Sequence, residues 1–400
     1  MRGLLKAVFL AMMCVGLSLV PSCGGDDNDD SASSDDDAIN DDVADDDAVD
    51  DDAVDDDAVD DDSSDDDSTD DDTADDDTAD DDTPFYPNDD FLRVNMLQAK
   101  GSHNSYHIQP DHVTIPEYRY THFPLDQELA SGVRQVELDI HYNADGIRVF
   151  HVPIIDPLTT CELFTECLTI IKDWSEAHPG HQLLMIFVEP KDDIDLIKWP
   201  GHQDAIESEI LSVWPRESIL TPDEVRGDYA TLRDAVLTAG WPTMGQARNR
   251  VMFHINDSGD FRDAYLGDFP DLEGALAFID SAPADNWAAV LVLNDPEPDE
   301  AAIIEGVNDG FIVRTRADSC CAEAINSDYT RFDIALASGA HFISTDFPIL
   351  GDQYDYVINI PGGTPSRCNP LTAPEFCAAA DIESLQTAKD LAQQSRNQIF

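Results

Sequence analysis

The chain has 400 residues, with 84 acidic side chains against 22 basic ones and a formal net charge of −62. That balance excludes a nucleic-acid binder, which needs a basic face, and argues against tight docking on an anionic membrane through charge alone. Composition also changes sharply along the chain, so three stretches are read separately.

Residues 1–22 carry a short basic start (Arg2, Lys6), an apolar run from Ala7 to Val20, and then Pro21 and Ser22 before Cys23. This is the pattern of an export signal and is too short for a spanning helix that also carries a fold. The small residue before Cys23 resembles a bacterial lipoprotein processing site, so Cys23 is the expected lipidation position. An ordinary cleaved signal would release a soluble protein instead. Cysteine arithmetic favours the anchor: with Cys14 lost in the signal, seven cysteines remain, and lipid on Cys23 leaves an even six. Six cysteines in an exported chain suggest disulfides. Cys161 with Cys167 and Cys368 with Cys377 are the expected local pairs, while Cys320 and Cys321 could instead reach the C-terminal pair. Gly24 and Gly25 lack the aspartate-based inner-membrane retention signal, which points to the outer membrane or the cell surface of the envelope.

Residues 23–83 form an acidic linker. From Asp26 to Asp82 a five-residue unit recurs, three aspartates and two small residues, giving 33 aspartates and no basic residue. No apolar face exists at any period and like charges repel, so this segment is expected to be a disordered stalk. Specific calcium sites there would need glycine turns that the repeat lacks.

Residues 84–400 have globular composition and suffice for one large domain, expected to be a monomer. Short apolar runs (VNMLQAK, VRQVELDIH, IRVF, QLLMIFVE, RVMFHI, AVLVLN, GFIVRT, HFIST) alternate with helical patterns such as ELFTECLTIIKDWSEAHPG and DYTRFDIALASG. Strands separated by helices predict a parallel sheet, and seven or eight such units predict an α/β fold, a TIM-type (β/α) barrel with some distortion. IRVF follows its predecessor too closely for a crossover helix and reads as a hairpin or an irregular extension.

The chemistry-bearing residues fall at strand ends. His103 and Asn104 follow the first strand, Glu137 and Asp139 lie two apart on one face of the second, His151 follows IRVF, and Glu189 ends the next strong strand. Two close carboxylates repel unless a cation or a proton lies between them. The oxygen donors Asn104, Glu137, Asp139 and Glu189 suit a hard cation such as calcium, and the histidines suit proton transfer on a phosphate. Taken singly, a Glu-x-Asp on a strand or a lone histidine is weak; the ordered set reads as a metal-assisted phosphodiesterase. Lys191 could add positive charge beside a phosphate, and Arg314 or Arg316 could grip phosphate or its head group. His141 continues the inward face of Glu137 and Asp139, with His254 and Asp346 as weaker candidates.

QAKGSHNSYH, VELDIH, FHVPIIDPLTTC, DWSEAHPGHQLLMIFVEPK, GWPTMGQARNRVMF and ISTDFP together resemble the calcium-dependent bacterial branch of the phosphoinositide-specific phospholipase C family, over about Leu97 to Cys377. The resemblance implies a TIM-type catalytic barrel with calcium bound by Asn104, Glu137, Asp139 and Glu189. It implies attack by an inositol 2-hydroxyl from within the same molecule, giving a cyclic inositol phosphate and diacylglycerol. Glu137 or Glu189 would be the base; His103 would stabilise the phosphorane oxygens, and His151, alone or with His103, would protonate the departing oxygen. The expected partner is phosphatidylinositol or a related lipid without extra ring phosphates, at a membrane reached through the lipid anchor. Two alternatives stand beside this. A glycerophosphodiester phosphodiesterase shares the barrel and Glu-x-Asp but usually shows His-Arg-Gly where this chain has His103, Asn104 and Ser105; the other is a non-catalytic calcium-binding surface module.

Overall fold

Nine consecutive buried residues in VRQVELDIH show the logic of the architecture: a parallel strand covered on both faces has no solvent side to alternate with. The computed structural model describes residues 84–112, 115–191, 199, 201–319 and 321–384. The export signal, Cys23, the whole acidic linker to residue 83 and Cys320 lie outside the described residues.

Eight parallel strands form the barrel wall: β1 (Leu97–Ser102), β2 (Val133–His141), β4 (Leu184–Pro190), β5 (Val251–Ile255), β6 (Ala277–Ile279), β7 (Val290–Val292), β8 (Ile312–Arg316) and β9 (Phe342–Thr345). Helices α1 (Leu125–Ala130), α2 (Phe164–Ala177), α3 (Asp204–Val213), α4 (Asp260–Asp268), α5 (Pro296–Asp309) and α6 (Thr330–Ala337) lie between them. The hydrogen-bonded order is β6-β5-β4-β2-β1-β9-β8-β7. Pairing of β1 with β9 turns the sheet back on itself, and the described residues show no ladder between β6 and β7. The result is a nearly closed TIM-type barrel, with the expected distortion located at that seam. The strand β6, in ALAFID, escapes the sequence reading because only three residues pair and no helical pattern separates it from β7. IRVF is a hairpin: β3 (Arg148–Val149) pairs antiparallel with the end of β2. A short β10 (Arg367–Cys368) pairs antiparallel with β1.

The first site residues follow a bulge. Between Lys100 and Gly101 the β1–β2 register slips by one, and a Cβ on Gly101 would sit 2.0 Å from Gln135 Oε1. Any side chain there would have to push the Gln135 amide aside and crowd Ser344 Cβ at 3.1 Å, and glycine avoids both before the strand turns out at His103. Both expected local disulfides are present, Cys161–Cys167 and Cys368–Cys377. Cys321 is buried.

Opposite the mouth, the segment 378–384 is tied to the start of β2. Arg134 donates to both oxygens of Glu383, its Nε at 2.8 Å, and lies over the Trp174 ring at 4.8 Å. Burial alone would raise the Glu383 carboxyl, but Arg134 outweighs it and holds the group below its ordinary value. Stability from this pair is therefore present above the unfolded carboxylate pKa of about 4 and lost as pH falls through the lower folded value. Glu383→Gln leaves Arg134 buried without a counter-charge and should cost roughly 3 kcal/mol in urea unfolding at pH 7, with the deficit shrinking below about pH 4. An unchanged midpoint at pH 7 would show that the pair contributes nothing.

Candidate active site

The β2–β4 register sets Asp139 beside Glu189 and Glu137 beside Phe187. Since side chains two apart share a face, Glu137 and Asp139 both enter the barrel mouth, where one oxygen from each of Glu137, Asp139 and Glu189 lies within 4.8 Å of the others. Glu137 and Asp139 are almost wholly buried. Burial lifts the Glu137 carboxyl to about 7 and raises Asp139 also; neighbouring carboxylates add to both effects, while Arg314 and Lys191 respectively oppose them. Glu189 moves the other way, because Lys191 and a hydrogen bond from Asn256 outweigh its burial.

Two cations meet these carboxylates, and a third, Arg316, meets Asp346. Arg314 donates through Nη2 to Glu137 and through Nη1 to Asn294. The Lys191 ammonium contacts Glu189 and stands 3.1 Å from Asp139 Oδ2. Arg316 Nη2 lies 3.2 Å from Asp346 Oδ2. The structure thus brings Lys191, Arg314 and Arg316 all to the mouth, both arginines engaged with carboxylates.

His103 leaves β1 with its N–H donating to Thr345 O on β9 at 3.0 Å, and Ser105 is latched to Glu137 in both directions. Asn104 takes φ 47°, a left-handed conformation that asparagine tolerates. Its Nδ2 donates to the Tyr120 hydroxyl at 3.2 Å, so the amide oxygen is the atom that would meet a cation. His103 Nδ1 is 2.7 Å from Asp346 Oδ1, and Nε2 is 3.7 Å from Glu137 Oε1. Burial, and next Arg316, push its imidazole down to about 3, so it is neutral with the proton on Nδ1. His122 supports it from behind, Nε2 donating to His103 O at 2.8 Å and Nδ1 to Glu128 at 2.6 Å.

His151 sits on the loop after β3. Its Nδ1 lies 2.8 Å from Asp156 Oδ2, and it is near enough that a proton on it would lower the Asp139 carboxyl. Of the weaker candidates, Asp346 proves a direct partner of His103. His141 Nε2 donates to Phe150 O at 2.8 Å and stacks on the Phe150 ring, bracing the residue before His151. His254 pairs with Asp280 at 2.7 Å. The sequence reading missed Asp156, Asn256, Asn294 and Asp318; Asp318 accepts from Thr345 and from Asp346 N–H, and carries no spacing signal.

A cation fits this set. Neither Asp139 oxygen receives a well-formed hydrogen bond although both are buried; the Lys191 ammonium 3.1 Å from Oδ2 is shared with Glu189, and buried acceptors left short of partners are costly. The oxygen-only donor set suits calcium. Glu137, Asp139 and Glu189, with Asn104 beside them, are the residues that would hold it.

The model of the family described as phosphoinositide phospholipase C, Ca2+-dependent, matches residues 141–370. The match takes in His151, Glu189, Lys191, both arginines and Asp346; His103, Asn104, Glu137 and Asp139 precede it and reach the same mouth through the fold. No curated protein matches the chain. A calcium-dependent phosphoinositol-specific phospholipase C from Pseudomonas sp., in its myoinositol complex, has a TM-score of 0.50 at 16% identity, over 65% of this chain and 92% of that one. A calcium-dependent phosphatidylinositol-specific phospholipase C from Streptomyces antibioticus has a TM-score of 0.49 at 20% identity, over 64% and 95%. At these identities the Pseudomonas structure speaks to fold alone, and the fold agrees. Because the family model covers more than half of the chain, this protein belongs to the calcium-dependent phosphoinositide phospholipase C family.

Proposed function

We propose that the protein cleaves phosphatidylinositol, or a closely related inositol lipid, by intramolecular attack of the ring 2-hydroxyl, giving a cyclic inositol phosphate and diacylglycerol. The observation that carries this reading is a pair of histidine–carboxylate dyads, His103–Asp346 and His151–Asp156, at the mouth that holds the acidic triad. Calcium in that triad would supply the positive charge that acidifies the hydroxyl and offsets charge on the phosphoryl oxygens.

The chain's own groups account for both proton transfers. Glu137 and Glu189 are each held by a cation, Arg314 and Lys191, but burial lifts the Glu137 carboxyl, so Glu137, with His103 Nε2 3.7 Å away, is the better acceptor for the hydroxyl proton. With that proton on Glu137, the neutral His103 Nε2 can accept a hydrogen bond from it. As the ring oxygen bonds to phosphorus and the glycerol oxygen leaves, an imidazolium at His151 gives its Nε2 proton to the departing oxygen. Steps of this kind contribute about 10²- to 10⁴-fold each. The lipid anchor at Cys23 is inferred from sequence alone and would hold the barrel at the cell envelope; fatty-acid labelling that survives Cys23→Ser would refute it.

A lipid surface, rather than a soluble glycerophosphodiester, is favoured by the rim. Ile154 is 84% exposed at the tip of a hairpin closed by Val152 and Asp156, and its φ of 70° is a strained position for a β-branched side chain. Ile155, Leu158, Phe123 and Leu350 are exposed on segments that carry or adjoin His151, His122 and Asp346.

With phosphatidylinositol vesicles, ³¹P NMR should show a cyclic inositol phosphate only when calcium is present; cleavage of glycerophosphodiesters alone would transfer the assignment to that activity. Asp139→Asn should raise the calcium required for half-maximal activity at least tenfold, with activity partly regained at high calcium, and a defect that calcium leaves untouched would exclude direct ligation. Ile154→Glu should lower turnover on vesicles about tenfold or more, the equivalent of one lost isoleucine burial, while leaving turnover of a monomeric short-chain substrate within about twofold. Equal losses on both would remove the rim from lipid docking.

A further inference from the structure

Asp156 is fully buried, five residues beyond His151, and is shared by two imidazoles. His151 Nδ1 lies 2.8 Å from its Oδ2. His107 Nε2, from the segment after β1, lies 2.9 Å from both oxygens. His107 is itself buried, and its Nδ1 has no hydrogen-bond partner. A buried N–H without an acceptor is the costlier arrangement, so the proton that faces Asp156 is on Nε2, and His107 donates it to the carboxylate.

The carboxylate is fixed from three further directions. The backbone of Asp156 closes a hairpin with Val152 in both directions, at 2.9 and 3.0 Å. The same loop is stitched to the His107 segment by Thr160 N–H to Tyr106 O at 2.8 Å and by the His107–Thr159 bridge. The His107 ring stacks on Tyr120 at 4.2 Å, and Tyr120 holds Asn104. Tyr118 meets the other ring edge-on, 5.1 Å from His151. Burial would raise the Asp156 carboxyl, but its two histidine hydrogen bonds outweigh it and keep the group ionised.

We propose that Asp156 is a positioning residue: it holds the His151 imidazole with its proton on Nδ1, so that Nε2 alone exchanges a proton with the substrate, and His107 locks Asp156 in that role. This rests on the reading that His151 protonates the leaving oxygen. After the Nε2 proton goes to that oxygen, the proton on Nδ1 stays with Asp156, and the ring is ready to be protonated again at Nε2 without turning over.

In the calcium-loaded full chain, ¹⁵N NMR of the imidazoles should show neutral His151 as the Nδ1–H tautomer; Nε2–H in the wild type would overturn the proposal without any variant being made. Asp156→Asn should lower kcat on phosphatidylinositol about 10- to 100-fold, the range for a group that orients a functional side chain, with KM within about twofold, and Asp156→Glu should recover part of the loss. On an inositol phosphate ester with a nitrophenol leaving group, which departs without a proton, the Asp156→Asn defect should shrink to less than about threefold. An equal defect on both substrates would show a merely structural role and overturn the proposal. Should the wild type cleave neither substrate yet show the Nδ1–H tautomer that Asp156→Asn abolishes, the proposed reaction would fall and the hold of Asp156 on His151 would stand.

Discussion

Mutual repulsion among Glu137, Asp139 and Glu189 is the constraint around which the barrel mouth is organised. Register alone forces Asp139 against Glu189, and the two-residue period of β2 forces Glu137 in beside them. The neighbouring cations answer this only in part: Arg314 to Glu137, Lys191 to Asp139 and Glu189, Arg316 to Asp346. Four carboxylates against three cations leave the ion-paired groups one negative charge in excess, and a phosphodiester adds another. A divalent cation restores neutrality when substrate arrives, which is the electrostatic sense of a calcium-dependent family at this position.

That balance also explains why the two histidines are built differently. His103 lies against the barrel wall, under the field of Arg316 and Arg314, and burial drives it neutral. A neutral imidazole whose Nδ1 is committed to Asp346 can only accept at Nε2, which suits the end of the reaction where a proton is taken up. His151 stands on a loop outside the β-ladder, with a buried carboxylate behind it. His103 has such a carboxylate too, but there burial and the two arginines override it, which leaves His151 for the end where a proton is given away.

Much of this was legible in the sequence because it depends on short-range periodicity. Glu137 and Asp139 share a face by strand geometry, Lys191 follows Glu189 by the same spacing, and His103, Asn104 and Glu189 sit at strand ends where a barrel places chemistry. Cys161–Cys167 and Cys368–Cys377 were legible as near neighbours. What escaped depends on closure. Asp346 reaches His103 across 243 residues because β9 pairs with β1, and no local pattern announces that. Arg314 or Arg316 was expected to grip phosphate or its head group, and the charge density that commits them to Glu137 and Asp346 exists only once the strands are adjacent. Asp156 lies in a loop with no period, and β6 is too short to show one.

The hairpin from Val152 to Asp156 joins two functions that the sequence presents as one undivided run, HVPIID. Its tip carries Ile154 in a strained, outward conformation; its closing residue holds His151 through the side chain and Val152 through the backbone. The disulfide at Cys161 and the stitching to Tyr106 and His107 fix the other end of the loop. The exposed apolar tip and the carboxylate behind His151 are thus carried by one five-residue hairpin.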